Sequence, residues 1–223
     1  MKINKILNLN ILIFFVICNF NYGQAPNLRS ASGFALFTSE GGIINVGNSF
    51  ITGDIGTAKG LVKDFSTGVV IGRLQIEDPN SKQTVDDIDF AFKFIDNLVC
   101  DVDLVSTLGS HQNLTPNIYC IHSDAILTGD LILDGRGDTN AIFIFKIQGG
   151  FTSEAFSNIK MIHGASLWNV YWLMNGEVIL GENSVFRGTV ITNGPIDLLE
   201  SATLLGRGLT SKGRVTLNNN III

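Results

Sequence analysis

EVILGENSVFRGTVITNG (177–194) and PIDLLESATLLGRGLTSKG (195–213) are two copies of one unit, and the final RVTLNNNIII (214–223) begins a third. Gly188 falls on Gly206, Thr192 on Thr210 and Val178 on Ile196, each eighteen residues apart, and Val215 follows Ile196 by nineteen. Gly176, Gly194 and Gly213 punctuate the turns, and WNVYWLMNG (168–176) lies over FRGTVITNG (186–194) at the same offset. A short period with alternating apolar residues and Gly or Asn at the corners marks a chain coiling into a solenoid, in which each coil buries its apolar residues only by stacking on the next. Eighteen or nineteen residues divide into three strands of about five residues and three tight corners, which predicts a triangular parallel β-helix. The LxxLxLxxN spacing of a leucine-rich repeat is missing, and a helical repeat would need longer units with less Val, Ile, Thr and Gly.

Working outward, the same vocabulary recurs along the chain. SFITGDIG (49–56) and AILTGDLILDG (125–135) share a Thr-Gly-Asp step, which predicts equivalent places in the solenoid for the two segments. AIFIFKIQG (141–149) is a near-continuous apolar run, as expected of a strand buried from both sides. One stretch breaks the pattern. From Asp78 and Pro79, apolar Val85, Ile88, Ala91, Phe92, Ile95 and Val99 recur at three and four, with Asp86, Asp87, Asp89, Lys93 and Asp96 between them. That spacing predicts one amphipathic helix over about 79–98, packed on the solenoid flank, with Asp78 as its N-cap. Residues 99–121 read as a cap with an irregular path.

Residues 1–23 combine a lysine-bearing start, an apolar run and a small residue before Gln24, the pattern of a secretory signal peptide. The remainder, 24–223, suits a single domain delivered to the extracellular space. In that oxidising compartment Cys100 and Cys120 are expected to form a disulfide; the alternative, a metal site, would have to draw on His111 and His122. The formal net charge is −5 with only 15 Lys and Arg, scattered singly, so no basic stripe is available for nucleic acid or an anionic membrane. No Ser-His-Asp, HExxH, P-loop or GxGxxG context occurs, so no enzyme activity, metal or cofactor is expected. Asp54 and Asp130 could be taken as a carboxylate pair of a polysaccharide-cleaving β-helix, but a Thr-Gly-Asp step is turn chemistry in the first instance. DGRGDTN (134–140) misses the calcium-loop spacing and reads as a turn.

Taken in order, FALF, ITGDIG, the Asp-Pro helix start, LTPNIYC, LTGDLILDGRGDTNAIFIFKI, NVYWLMNG, the two coils quoted first and the terminal VTLNNN resemble the ice-binding-like family of secreted microbial antifreeze β-solenoids, over about residues 28–223. The resemblance implies a mainly β fold: a right-handed, discontinuous, three-faced parallel β-solenoid with one long α-helix alongside. It also implies an extracellular, monomeric protein whose partner is the surface of an ice crystal, met by one flat face of small hydroxyl and methyl groups. Thr189, Thr192, Asn193, Thr210, Ser211 and Thr216 are the candidate ice-binding residues. Two features point elsewhere. Thr192 and Thr210 would be mere core fillers if they point inward, and the Leu173, Ile191 and Leu209 row of the same strands could lie under the helix. A second column, Ile179 and Glu182, Asp197 and Glu200, Thr216 and Asn219, carries acids where the family's coils commonly show threonine. Those acids support the alternative reading, a surface module binding polysaccharide or protein on the same scaffold.

Overall fold

A computed structural model of the chain describes residues 24–223; the expected signal peptide lies outside them. All strand pairs run parallel, and the coils form three faces. One face is a separate sheet of eight strands. The other two join into a single sheet because Val185–Thr192 and Thr203–Thr210 bend around a corner at Gly188 and Gly206 and serve both. Each of these glycines has positive φ, 113° and 140°, and a Cβ on Gly206 would overlap the carbonyl of Gly188 directly beneath it. The eighteen-residue spacing therefore records a bend repeated in register, Gly188 on Gly206 and Thr192 on Thr210.

The coils are not stacked in chain order. Phe34–Thr38 pairs with Thr203–Thr210 on one side and Asp54–Thr57 on the other, so the amino-terminal coils sit on top of the carboxy-terminal ones. The helix, Pro79–Asp96, then carries the chain about 27 Å along the stack. Coiling restarts at the far end, where Val102–Asp103 pairs with Ile118–Ile121. Residues 99–121 thus depart from the expected irregular cap: Val102–Asp103, Thr107–Gly109 and Gln112–Leu114 each contribute a short strand to the first full coil. The disulfide between Cys100 and Cys120, with Cα atoms 5.8 Å apart, clips that coil to the next.

The interior is filled by inward-pointing apolar ladders. Tyr119, Phe145 and Trp172 occupy one row, with ring centroids 5.2 Å and then 3.8 Å apart, and Phe151 and Phe186 close around the fully buried Trp172. Its indole N–H donates to the carbonyl of Arg187 at 3.0 Å, so the one polar atom of the ring is satisfied. A neighbouring inward row begins with Ile121, Ile147 and Met174 and then changes to Thr192, Thr210, Thr38 and Thr57. All four threonines are fully buried. Each ends its strand, and each hydroxyl donates to a glycine carbonyl in the corner of the coil below: Gly176, Gly194, Gly213 and Gly41, at 2.5 to 2.9 Å. The corner glycines stack closely, so that a Cβ on Gly194 would collide with the backbone of Gly176.

The helix covers the outer side of one face. Ile88, Ala91 and Ile95 pack on Ile118, Ile144, Leu173, Ile191, Leu209 and Phe37, which places the Leu173, Ile191 and Leu209 row under the helix. Asp78 caps its start by accepting the N–H of Ser81 at 2.6 Å, and Lys146 Nζ binds the carbonyls of Asp96 and Leu98 at its end. Val99, expected in the apolar stripe, is exposed, whereas Asp87, expected on the wet side, is 2% exposed. The Asp87 carboxylate receives the hydroxyl of Ser30 at 2.6 Å, the N–H of Ser30 at 3.2 Å and the guanidinium of Arg29 at 3.3 Å, tying the amino-terminal segment to the helix. Among the described residues no helix is long and apolar enough to cross a membrane.

Replacing Thr192 by valine removes the donor to the half-buried Gly176 carbonyl and the acceptor for the Gly194 N–H. Thr192→Val is expected to lower the unfolding free energy by about 1–3 kcal/mol in guanidinium titration. An unchanged midpoint would show that these hydroxyls do not hold the corner.

Candidate functional site

The six candidate residues do not share a surface. Thr189, Thr192 and Thr210 are fully buried, the last two as corner-bonding threonines and Thr189 beneath the guanidinium of Arg207. Asn193 and Ser211 sit half-buried at the corner that follows, where Asn193 reaches the side chain of Asn175 at 3.4 Å. Thr216 alone of the six projects from a sheet face not covered by the helix. Thr192 and Thr210 point inward, and the reason is one of parity. A threonine that ends a strand at a corner recurs with the coil whether it points in or out, and the repeat cannot distinguish the two.

Thr216 belongs to the eight-stranded sheet, and the register places one outward column along it: Thr107, Ile126, Thr152, Ile179, Asp197, Thr216, Ile44 and Lys63. Adjacent members are about 4.8 Å apart. Their inward neighbours, among them Leu108, Leu127, Phe151, Leu180, Leu198 and Leu217, are core residues, which fixes the parity of this face. Ile126, Thr152, Ile179, Thr216 and Ile44 are all half-buried, so they lie low on the sheet rather than standing out from it. From Thr107 to Ile179 the column alternates hydroxyl-bearing and purely apolar side chains and contains no charge. A second outward row starts at Gly109 and Thr128. Asp197 interrupts the first column, with Arg214 Nε 4.0 Å from its Oδ1. The acidic column noted in the sequence therefore is the open face, but only its first members lie on the sheet. Glu182 and Glu200 belong to the corner that follows, where Asn183, Ser201 and Asn219 each adopt positive φ and Glu200 accepts the amide of Asn219 at 2.9 Å.

The third face is less regular. Its outward groups at one end are ionic, with Lys160 Nζ 2.7 Å from Asp130, and at the other end bulky and protruding, with Phe50, Val69, Ile71 and Ile221 each 38–57% exposed. The two Thr-Gly-Asp steps prove to be non-equivalent corners. Asp54 opens a strand of the helix-covered face after a strand of the third face, whereas Asp130 opens a strand of the third face after one of the eight-stranded sheet. Five coil steps separate Asp130 from Phe50 of the upper coils, about 24 Å, so the two carboxylates cannot flank one bond. Burial opposes ionisation of Asp54, yet hydrogen bonds from the backbone and guanidinium of Arg73 and from Gln75 outweigh it and hold the carboxyl below its ordinary range. In DGRGDTN, Asp134 accepts the N–H of Arg136 and the ring of His163, and its pKa is lowered chiefly by the first; this is turn chemistry.

Comparison with known proteins decides the relationship. Residues 37–223 match the ice-binding-like family. The chain belongs to that family. This ice-binding-like chain is 31% identical to an ice-binding protein of Nostoc sp. over 86% of its own length and 72% of that protein. It is 27% identical to ice-binding protein 1 of Shewanella frigidimarina over 91% of its length, but spans only 26% of that longer chain. The crystal structure of an ice-binding protein from the Antarctic ascomycete Antarctomyces psychrotrophicus superposes with a TM-score of 0.86 at 32% identity, covering 89% of this chain and 98% of the other.

Asp54, Asp87 and Asp134 all have folded-state pKa values below their ordinary range. Their contribution is complete above the unfolded carboxylate value, about 3.9, and is lost as pH falls through the lower folded values. Melting temperature is expected to be flat from neutral pH to about 5 and to fall below about 4. Asp87→Asn should flatten that acid limb, which a pH series of thermal melts would show.

Proposed function

We propose that this protein is secreted and adsorbs to ice through the eight-stranded face, restraining crystal growth and recrystallisation. The observation that carries the reading is the flat, uncharged column Thr107, Ile126, Thr152 and Ile179, repeated once per coil on a sheet that the helix leaves open. Ice offers a rigid lattice of oxygen atoms, and a protein adsorbs to it by presenting groups at a fixed spacing without carrying tightly held, disordered water. Side chains one coil step apart, about 4.8 Å, with a threonine hydroxyl and methyl at every second step, do this, the strand stack supplying the ruler. Isoleucine between them adds methyl surface that imposes no competing hydration geometry. The relatives named above are called ice-binding proteins, which supports the same reading. The work is done by one monomer, and adsorption involves no bond making and no cofactor.

Asp197 sets a limit on the surface. A carboxylate holds its own hydration shell, so the effective contact is expected to centre on the column from Thr107 to Ile179. Thr152→Tyr should remove most thermal hysteresis and recrystallisation inhibition while changing stability by less than about 0.5 kcal/mol, because Thr152 lies on the surface. Thr210→Tyr is expected instead to unfold the protein, since that side chain fills a closed corner. Full ice activity in purified Thr152→Tyr would refute the assignment of this face.

A further inference from the structure

We propose that a cleft on the side opposite in character to the ice face, built around Trp168 and Arg207, binds an acidic sugar residue of an extracellular polysaccharide. The cleft, of about 320 Å³, opens where the amino-terminal segment crosses the edge of the helix-covered face, and its walls include Asn27, Arg29, Ser32, Trp168, Tyr171 and Arg207. A second hollow continues past Trp168 and Arg207 along the corner glycines Gly33, Gly53 and Gly206. Trp168 is 52% exposed in a short turn, Leu167–Asn169, and the turn is fixed from below by the hydroxyl of Tyr171, which donates to the Trp168 carbonyl at 2.9 Å. A large ring held out of the core by a built turn is a platform for the C–H face of a sugar.

A cation stands beside the ring. Arg207 stands with its guanidinium carbon 4.7 Å from the Trp168 ring centroid, and among the described residues it makes no ion pair. Its Nε donates to the Ser32 carbonyl at 2.9 Å, and Thr189 lies at 3.5 Å from a terminal nitrogen. Burial makes the charged form of this guanidinium less favourable than in water, and no carboxylate compensates it. Arg29 also lines the cleft, but its guanidinium is turned to the helix, 3.3 Å from Asp87 and 3.9 Å from the centroid of the Phe90 ring. The cleft therefore holds the guanidinium of Arg207 and no carboxylate among its lining residues, in a chain whose net charge is −5. A planar guanidinium binds a carboxylate or sulfate through paired hydrogen bonds. An aromatic platform beside it selects an anion borne on a sugar ring over a free ion.

Titration of the mature chain with a hexamer of guluronic acid, a sulfated galactan oligosaccharide and neutral cellohexaose tests this by calorimetry and by tryptophan fluorescence. The other tryptophan, Trp172, is fully buried, so a spectral change reports on Trp168. Saturable binding of either acidic oligosaccharide, weakened at least about tenfold by Arg207→Gln and by Trp168→Ala, is the expected result. Trp168→Ala removes an exposed ring, so its melting temperature and recrystallisation inhibition should be unchanged, which separates this cleft from the ice face. Equal affinity for cellohexaose, equal affinity for inorganic sulfate, no binding by either acidic oligomer, or binding indifferent to both substitutions would overturn the proposal.

Discussion

The structure depends on one contact made four times: a buried threonine hydroxyl at the end of a strand donating to the corner glycine carbonyl of the coil beneath. Strand ladders hold coils together along their flat faces, but at a corner the backbone turns away and its carbonyls lose their ladder partners. In a stacked solenoid those carbonyls lie against the next coil with reduced access to water, and each is met by a donor from within. Threonine provides one in the space of a valine, and its oxygen also accepts the N–H two residues on, as in Thr192 with Gly194 and Thr210 with Lys212. Glycine is required on the other side because the corners approach too closely for a Cβ. The Thr and Gly periodicity is thus two halves of one device.

That device also joins chain segments that are distant in sequence. Thr38 bonds Gly213 across 175 residues, and Thr57 repeats the bond to Gly41 in the coil above. The amino-terminal coils consequently continue the same lattice as the carboxy-terminal ones, although the helix separates them in the chain. Nothing in the lattice itself compels the helix to lie where it does. Apolar packing of Ile88, Ala91 and Ile95 supplies adhesion, and the bonds from Asp87 to Ser30 and Arg29 specify position. A buried carboxylate that accepts from Ser30, Arg29 and Gln83 is an anchor that tolerates little sliding.

Much of this was legible in the sequence. The eighteen-residue offset between Gly188 and Gly206 gives the coil, and the three-four spacing after Asp78 gives the helix. Direction was not legible. Inward and outward residues alternate with period two, and in a coil of about five-residue strands one uncertain residue at a bend reverses every assignment after it. Thr192 and Thr210 repeat as regularly as outward threonines would, so periodicity alone picked out a row that points inward. A usable signal was present nonetheless: the apolar pairs Val178 and Leu180, Ile196 and Leu198, and Val215 and Leu217 bracket Ile179, Asp197 and Thr216, and bracketing of that kind marks the middle residue as outward. Asp87 escaped for a different reason. Its partners, Ser30 and Arg29, lie 57 and 58 residues away, and local spacing cannot reveal a long-range polar anchor.

The same separation of inside from outside explains how the scaffold can carry more than one surface. Ladders, corner bonds and aromatic stacking all use inward groups, so an outward residue on either face that the helix leaves open changes with little cost to the fold. Asp197 interrupts the uncharged column in the middle of the open face while Ile196 and Leu198 are buried on either side of it. Trp168 and Arg207 likewise add a cationic, aromatic cleft on an edge whose inward neighbours, Val170 and Gly208, retain their places in the stack. A flat lattice and a shaped cleft have opposite requirements. The first needs low, repeated side chains; the second needs large side chains held at unequal heights. Corners and segment crossings are where a three-sided solenoid departs from its own repeat, so the ordered face and the irregular cleft occupy the parts of the molecule whose geometry suits each.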